Sequence, residues 1–186
     1  MERYVYPHTI DNGAGERLTF VRKVPGSRGG DRLEVENVVR PGAGPPMHIH
    51  HFQEEALTVT HGRIAYQRPG EAPAFAGPGD TVVFKPGEAH KFWNPGQDDL
   101  RCTGYIEPPD NIEYFLTEIY ASTKRNGGTQ PDPFDASFLA TRYRSEFSLV
   151  EIPAAVQRFV FPVQLAIGRL LGKYRKYADA PEPVRR

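Results

Sequence analysis

Residues with the chemistry of metal ligands stand close together in the first half of the chain. His48 and His50 are separated by one residue, and a carboxylate follows at Glu54 or Glu55. On an extended strand alternate side chains point to the same face, so both imidazoles would converge if that face lines a barrel. Two imidazoles and one carboxylate form a facial set of nitrogen and oxygen donors for a divalent transition metal. The spacing therefore predicts a metal site.

A longer pattern surrounds the two histidines and resembles the first motif of the cupin superfamily, G(x)5HxH(x)3–4E(x)6G. Its fixed positions are occupied by Gly42, His48, His50, Glu55 and Gly62. Glu54 would satisfy the shorter of the two spacings between histidine and glutamate, but it leaves seven residues before Gly62 instead of six. We therefore choose Glu55 as the carboxylate ligand.

A second stretch resembles the other cupin motif, G(x)5PxG(x)2H(x)3N. Its fixed positions are met by Gly79, Gly87, His90 and Asn94. The proline of the motif falls on Lys85, and Pro86 is displaced by one position. The resemblance implies that three histidines and one glutamate, namely His48, His50, His90 and Glu55, bind one metal ion inside the barrel.

The elements that must position these residues read as short strands. Gly and Pro contribute 18 residues each, which suits many strands joined by tight turns. Residues 32–39 alternate at period two, so Leu33, Val35, Asn37 and Val39 share one face. The predicted strands are Leu18–Val24, Leu33–Val39, Ala56–Thr60, Ile64–Arg68, Thr81–Phe84, Lys91–Trp93 and Arg101–Ile106.

The pattern changes after Pro108 and Pro109, where apolar residues recur at helical spacing. We predict helices over 111–124 and 135–143, and a longer one that begins near Pro153. The resemblance covers about residues 30 to 107. The predicted fold is mainly β, a cupin double-stranded β-helix or jelly-roll barrel over residues 1–109, with a C-terminal helical extension over 110–186.

The stretch Ile152–Gly172 is the most apolar part of the chain. Arg158, Arg169 and Pro162 interrupt it, so we expect no transmembrane segment. We predict that an apolar stripe packs against the barrel or a partner subunit, with peripheral membrane contact, aided by the basic residues 173–177, as the alternative. The stripe consists of Val156, Phe159, Val160, Val163, Ile167, Leu170 and Leu171.

The residues in phase with the ligands are candidates for the wall of a small-molecule pocket. Three imidazoles and one carboxylate leave open positions on Fe, Mn, Ni, Co or Zn, and the sequence does not distinguish these metals. We predict a metal-dependent enzyme acting on a small organic compound, either an oxygenase, such as a dioxygenase, or an isomerase. The alternative is a non-catalytic binding or sensing module, because no general base stands out beyond the ligands. The wall candidates are Phe92, Asn94, Tyr66, Leu57, Val59 and Asn37.

Charge and cysteine usage limit the partners and the compartment. Lys and Arg total 23 and so do Asp and Glu, so no global field favours nucleic acid. The lone Cys102 cannot form an internal disulfide, and no segment reads as a targeting signal, so we expect a cytoplasmic protein. The resemblance implies a homodimer.

Overall fold

The computed structural model describes residues 3–27 and 29–186, and its first part is a barrel of short strands. All seven predicted strands are present, with ends that differ by a few residues. Four further short strands, which the sequence patterns did not predict, complete the two sheets. The strands are β1 (His8–Asp11), β2 (Glu16–Pro25), β3 (Asp31–Val39), β4 (His48–His50), β5 (Glu54–His61), β6 (Ile64–Gln67), β7 (Ala74–Ala76), β8 (Thr81–Phe84), β9 (Ala89–Trp93), β10 (Leu100–Glu107) and β11 (Phe147–Leu149).

The strands form two antiparallel sheets that face each other. The first sheet has the order β1-β2-β3-β10-β5-β8, and the second has the order β11-β4-β9-β6-β7. Neighbours in each sheet are often distant in the sequence, as when β10 pairs with both β3 and β5. The prediction of a mainly β jelly-roll barrel is confirmed.

The alternation predicted in β3 is also confirmed. Leu33, Val35, Asn37 and Val39 are all buried, whereas the intervening Glu34 and Glu36 lie on the outer face. The same alternation in β2 buries Glu16, Leu18 and Phe20. Because β2 and β3 are paired, with Leu18 opposite Asn37, these inner residues form one continuous surface in the barrel.

Two groups of apolar side chains fill the interior. One group closes one end of the barrel with residues such as Val59, Ile64 and Leu100, each at most 1% exposed. The other group joins Leu18, Phe20 and Ile106 of the barrel to the C-terminal helices. The helical extension therefore shares a core with the barrel.

Three α-helices follow the barrel, as predicted. They are α1 (Ile112–Arg125), α2 (Pro133–Arg142) and α3 (Phe161–Leu170). The first, α1, packs against β1, and α2 packs against both α1 and α3. The side chain of Asp132 accepts hydrogen bonds from the backbone N–H groups of Phe134 and Asp135, which caps the start of α2.

The proline within the predicted last helix changes its local geometry. Residues Val156–Val160 form a π-helical turn directly before α3, and Pro162 occupies the first turn of α3. Because proline has no backbone N–H and its ring crowds the preceding turn, the regular i to i−4 pattern cannot run through it. The proline thus shifts the register of the helix without ending it.

The apolar stripe of this segment is exposed, so its expected packing on the barrel is wrong. The opposite face of α3 packs on α2 instead, and Phe161 and Gly168 are buried there. Packing of the stripe on a partner subunit remains a prediction. Among residues 3–27 and 29–186, no helix combines the length and apolar character that a bilayer crossing requires.

The extension also contributes a strand to the barrel. β11 pairs with β4, with Phe147 opposite His50 and Leu149 opposite His48. The C-terminal tail crosses this region, where Arg142 and the hydroxyl of Tyr143 donate hydrogen bonds to the carbonyl oxygen of Pro181. The edge of the sheet that carries two predicted ligands is therefore covered by the extension.

Candidate metal centre

The four predicted ligands come from three strands of the two facing sheets. β4 carries His48 and His50, and its pairing with β9 places His48 directly opposite His90. Glu55 lies on β5 in the other sheet, with its side chain turned to the interior. The candidate site therefore lies between the sheets and depends on both of them.

The structure brings these four side chains together. One potential ligand atom from each residue lies within 4.8 Å of all the others. Nε2 of His48 is 3.1 Å from Nε2 of His50, and Nε2 of His90 is 3.1 Å from Oε2 of Glu55. The same carboxylate oxygen is 3.5 Å from Nε2 of His50. Three nitrogens and one oxygen thus converge on one small volume.

The outer ring nitrogens determine which atoms face the centre. Nδ1 of His48 donates to the carbonyl oxygen of Pro46 at 2.8 Å, and Nδ1 of His90 donates to that of Glu88 at 2.9 Å. When these neutral rings carry their proton on Nδ1, Nε2 presents a lone pair to the interior. Such backbone hydrogen bonds commonly orient metal-binding histidines. The donor set therefore fits a divalent metal ion.

Electrostatics at the site favour the deprotonated ligands. Burial, reinforced by His50 and His90, lowers the pKa of His48 to about 3. Burial alone would raise the pKa of Glu55, but its hydrogen bonds to His50 and His90 outweigh that effect and hold the pKa well below its usual value. Neutral His48 and ionised Glu55 are the forms that bind metal, so they are available at neutral pH.

The neighbouring candidates point elsewhere. Glu54 accepts a hydrogen bond from the Tyr105 hydroxyl at 2.8 Å, on the face of β5 opposite to Glu55. His51 is hydrogen-bonded to Ser148, and His61 is exposed at the end of β5. The geometry therefore agrees with the choice of Glu55 over Glu54.

Aromatic rings hold the histidines in place on both sides. The His90 ring stacks on Phe84 with centroids 3.9 Å apart and an angle of 6° between the planes. On the other side, Phe147 packs edge-on against His50 at 5.7 Å, and Phe115 of α1 lies 5.0 Å from Phe147. A chain of aromatic contacts thus links the site to the first helix.

The predicted wall residues lie in different surroundings. Leu57, Val59 and Phe92 are buried in the apolar group that closes the barrel end, and Tyr66 is partly buried beside it. The amide of Asn94 donates to the carbonyl oxygens of Val39 and Asp98 and accepts from the N–H of Gly96, so it holds a loop.

Asn37 differs from these wall candidates because part of its amide is unpaired. Its side chain is buried in the barrel, and its Oδ1 has no hydrogen-bond partner within residues 3–27 and 29–186. A buried hydrogen-bond acceptor without a partner destabilises the folded protein unless a bound ligand donates a hydrogen bond to it. Among the wall candidates, Asn37 therefore offers a polar group for a bound molecule.

A second acidic residue faces the same interior and was missed in the sequence. Glu16 is 5% exposed at the start of β2, where Nδ2 of Asn12 donates to its Oε2 at 3.1 Å. The side chain of Tyr120 on α1 lies beside this carboxyl group. Burial, with a contribution from Glu55, raises the pKa of Glu16 to about 7. The alternation of Glu16, Leu18 and Phe20 was the signal that could have revealed it.

We expect the stability of the metal-free protein to depend on pH through Glu16. Its pKa rises from 4.5 to about 7 on folding. The contribution of the neutral acid is therefore complete below pH 4.5 and is lost as the pH rises through 7. Relative to Glu16→Gln, the free energy of unfolding should fall by about 3 kcal/mol over this interval. Urea denaturation with a chelator present measures it.

The exposed Glu71 supplies the matched control for this measurement. Glu71→Gln removes a carboxylate that is already hydrated, so its pH profile should follow that of the wild type. Parallel profiles for Glu16→Gln and the wild type would show that Glu16 titrates normally in the folded chain.

The four clustered residues lie in a part of the chain that matches a known protein family. Residues 36–104, which include all four clustered side chains, match the cupin domain model. The barrel belongs to the cupin superfamily. The match ends before α1, so the helical extension lies outside the matched cupin domain.

Two curated relatives are similar to part of this chain. The oxidoreductase iacF of Pestalotiopsis fici is 32% identical over 107 residues, which are 52% of this chain and 52% of that protein. The epoxidase atD of Aspergillus terreus is 25% identical over 121 residues, which are 64% of this chain and 33% of that protein. The chain thus spans between a third and about half of the length of these relatives.

Solved structures of other cupin-like barrels resemble this one more distantly. KdgF from Halomonas sp. has a TM-score of 0.47 and 21% identity, and the match covers 56% of this chain and 92% of KdgF. A conserved double-stranded β-helix protein from Klebsiella pneumoniae has a TM-score of 0.43 and 20% identity, with coverage of 57% and 78%. At these scores the likeness carries no functional information.

Proposed function

We propose that this cupin is a metal-dependent enzyme that converts a small organic compound by oxygenase or isomerase chemistry. One observation carries the proposal: three histidines and one glutamate place their donor atoms within 4.8 Å of one another in the barrel interior. His48, His50, Glu55 and His90 would hold one divalent transition metal. Such an ion, when bound, supplies a Lewis acid with open positions for a substrate oxygen.

The residues around the centre would bind and orient the substrate. Phe147 and Phe115 provide an apolar surface beside His50, and the unpaired Oδ1 of Asn37 can accept a hydrogen bond. A mostly apolar wall with few polar groups is typical of sites for small organic ligands. The names of the two curated relatives, an oxidoreductase and an epoxidase, support the oxygenase alternative.

Glu16, beside Tyr120, supplies the proton-exchanging group that the ligand set lacks. With a pKa near 7, Glu16 can accept or release a proton at neutral pH. The Tyr120 side chain lies beside this carboxyl group and helps to enclose it. This pair favours an enzyme over a module that only binds its ligand.

The test combines metal loading with a substrate panel. Metal is removed from the protein with a chelator, and separate samples are reloaded with Fe(II), Mn(II), Co(II), Ni(II) or Zn(II). Oxygen uptake and product formation are then measured with enols, phenols, alkenes and sugars as candidate substrates. We expect turnover with at least one metal, and a decrease of about 100-fold in kcat for Glu16→Gln, since general acid–base groups contribute on that order. Glu71→Gln serves as the matched control.

Two outcomes would contradict the proposal. Retention of a bound compound without turnover under every metal would indicate a non-catalytic binding or sensing module. Turnover that survives the loss of His90 would separate the activity from the candidate centre.

The working state of the protein also belongs to this proposal. We propose a cytoplasmic homodimer that takes a small-molecule substrate.

Burial and Glu55 raise the pKa of the Cys102 thiol to about 12, so this cysteine is unreactive and its role is packing.

A further inference from the structure

The segment that contains α3 presents a continuous apolar face to the outside. The spacing of 4, 4, 3 and 1 residues from Phe159 onward places the large side chains on one side of the helix. Folded chains rarely leave so many large apolar residues exposed together unless the surface contacts something. The exposed fractions are 64% for Phe159, 57% for Val163, 43% for Ile167, 88% for Leu170 and 63% for Leu171.

The charged residues within this segment are all basic. Residues 152–178 contain five basic residues and no acidic one. Within the described ranges, only Lys176 among the five forms an ion pair, with Asp135 of α2. The Arg158 guanidinium lies 5.5 Å from the centre of the Phe159 ring, at the edge of the apolar face. The basic residues are Arg158, Arg169, Lys173, Arg175 and Lys176.

The opposite side of the segment is fixed to the body of the protein. Phe138 of α2 stacks on Tyr174 at 4.9 Å and on Tyr177 at 4.5 Å, and Gly168 of α3 lies against the Tyr174 ring. The helix is thus already formed and oriented with its apolar face outward. Binding through this face would not require the folding that a disordered peptide undergoes.

We propose that this apolar face binds an anionic lipid surface, with α3 lying in the plane of the headgroups. Apolar side chains would enter the boundary of the acyl chains, and the basic residues would contact lipid phosphates. A second copy of the face is a poor occupant, because two-fold pairing would bring two segments of the same positive charge together.

Vesicle flotation of the full-length protein tests this binding. Vesicles of phosphatidylcholine with phosphatidylglycerol should carry the protein upward, and vesicles of phosphatidylcholine alone should carry much less. The double variant Leu170→Gln with Leu171→Gln should bind about tenfold more weakly, because the leucine side chains no longer transfer apolar surface from water to the lipid. Arg169→Gln and Lys173→Gln should each weaken binding about fivefold, with a stronger effect at low salt.

The controls separate lipid binding from folding and from self-association. Val5 is as exposed as Leu170, at 88%, so Val5→Gln should leave flotation unchanged. Thermal unfolding and metal content should be the same in all variants, because the replaced side chains are exposed and none of them belongs to the candidate centre. The proposal is overturned if no vesicle is bound, if both vesicle types are bound equally, or if sedimentation shows that the Leu170 and Leu171 changes only dissociate a dimer.

Discussion

His90→Ala protein should leave purification with at least tenfold less bound metal than the wild type. Nε2 of His90 is one of four converging donor atoms, and its ring is 1% exposed against Phe84. Removing one of four ligands weakens a metal site at least as much as removing an outer partner, which costs about 10- to 100-fold in affinity. Elemental analysis of protein purified without added metal measures the loss. His48→Ala should behave in the same way.

Residues next to the predicted ligands in the sequence provide controls of the same chemical type. His51→Ala removes an imidazole that is hydrogen-bonded to Ser148, so its metal content should match the wild type. Glu55→Gln should lose metal, whereas Glu54→Gln, which alters the partner of Tyr105, should keep it. His90→Gln fills more of the space beside Phe84 and distinguishes ligand loss from a packing defect. Equal metal in His90→Gln, His48→Ala and the wild type would refute the site.

Gly104→Ala should be strongly destabilising, although it adds only one methyl group to the barrel. Gly104 lies in the middle of β10, opposite Val35 of β3 and Leu57 of β5. A Cβ at this position would come within 2.0 Å of the carbonyl oxygen of Ala56. That oxygen belongs to the backbone of a central strand and cannot move without disturbing the pairing of β5 with β10. We expect a loss of about 3 kcal/mol or more in the free energy of unfolding, measured by urea denaturation.

Gly77→Ala is the matched control for this prediction. The nearest atom to its added Cβ is a side-chain oxygen of Asp80 at 4.0 Å, so the methyl group has space. Its effect should stay within about 0.5 kcal/mol, as is usual for surface changes. If Gly104→Ala is as stable as Gly77→Ala, then the close approach of β10 to β5 is not a real constraint.

Local patterns were sufficient to predict most of the barrel. The alternation in β3 depends on neighbours two residues apart, and it correctly identified the buried face. The cluster of predicted ligands could be found in the sequence for a related reason, since the spacing of His48, His50 and Glu55 is itself a local pattern. Glu54 and Glu55 could be distinguished only by the distance to Gly62.

Features that depend on distant contacts were not predictable in this way. The alternation in β2 could have placed Glu16 on the inner face, but not beside Tyr120 of α1, about 100 residues later in the chain. The apolar stripe of the last segment showed which residues share a face but not whether another part of the chain covers it. In the structure α2 packs on the opposite side of α3, and the stripe is left exposed.

The pairing of β11 with β4 has a practical consequence for truncated variants of the protein. A fragment that stops at Pro109 would keep every residue of the cupin match, but it would uncover the backbone edge of β4. Open strand edges recruit other strands, so such a fragment is expected to aggregate.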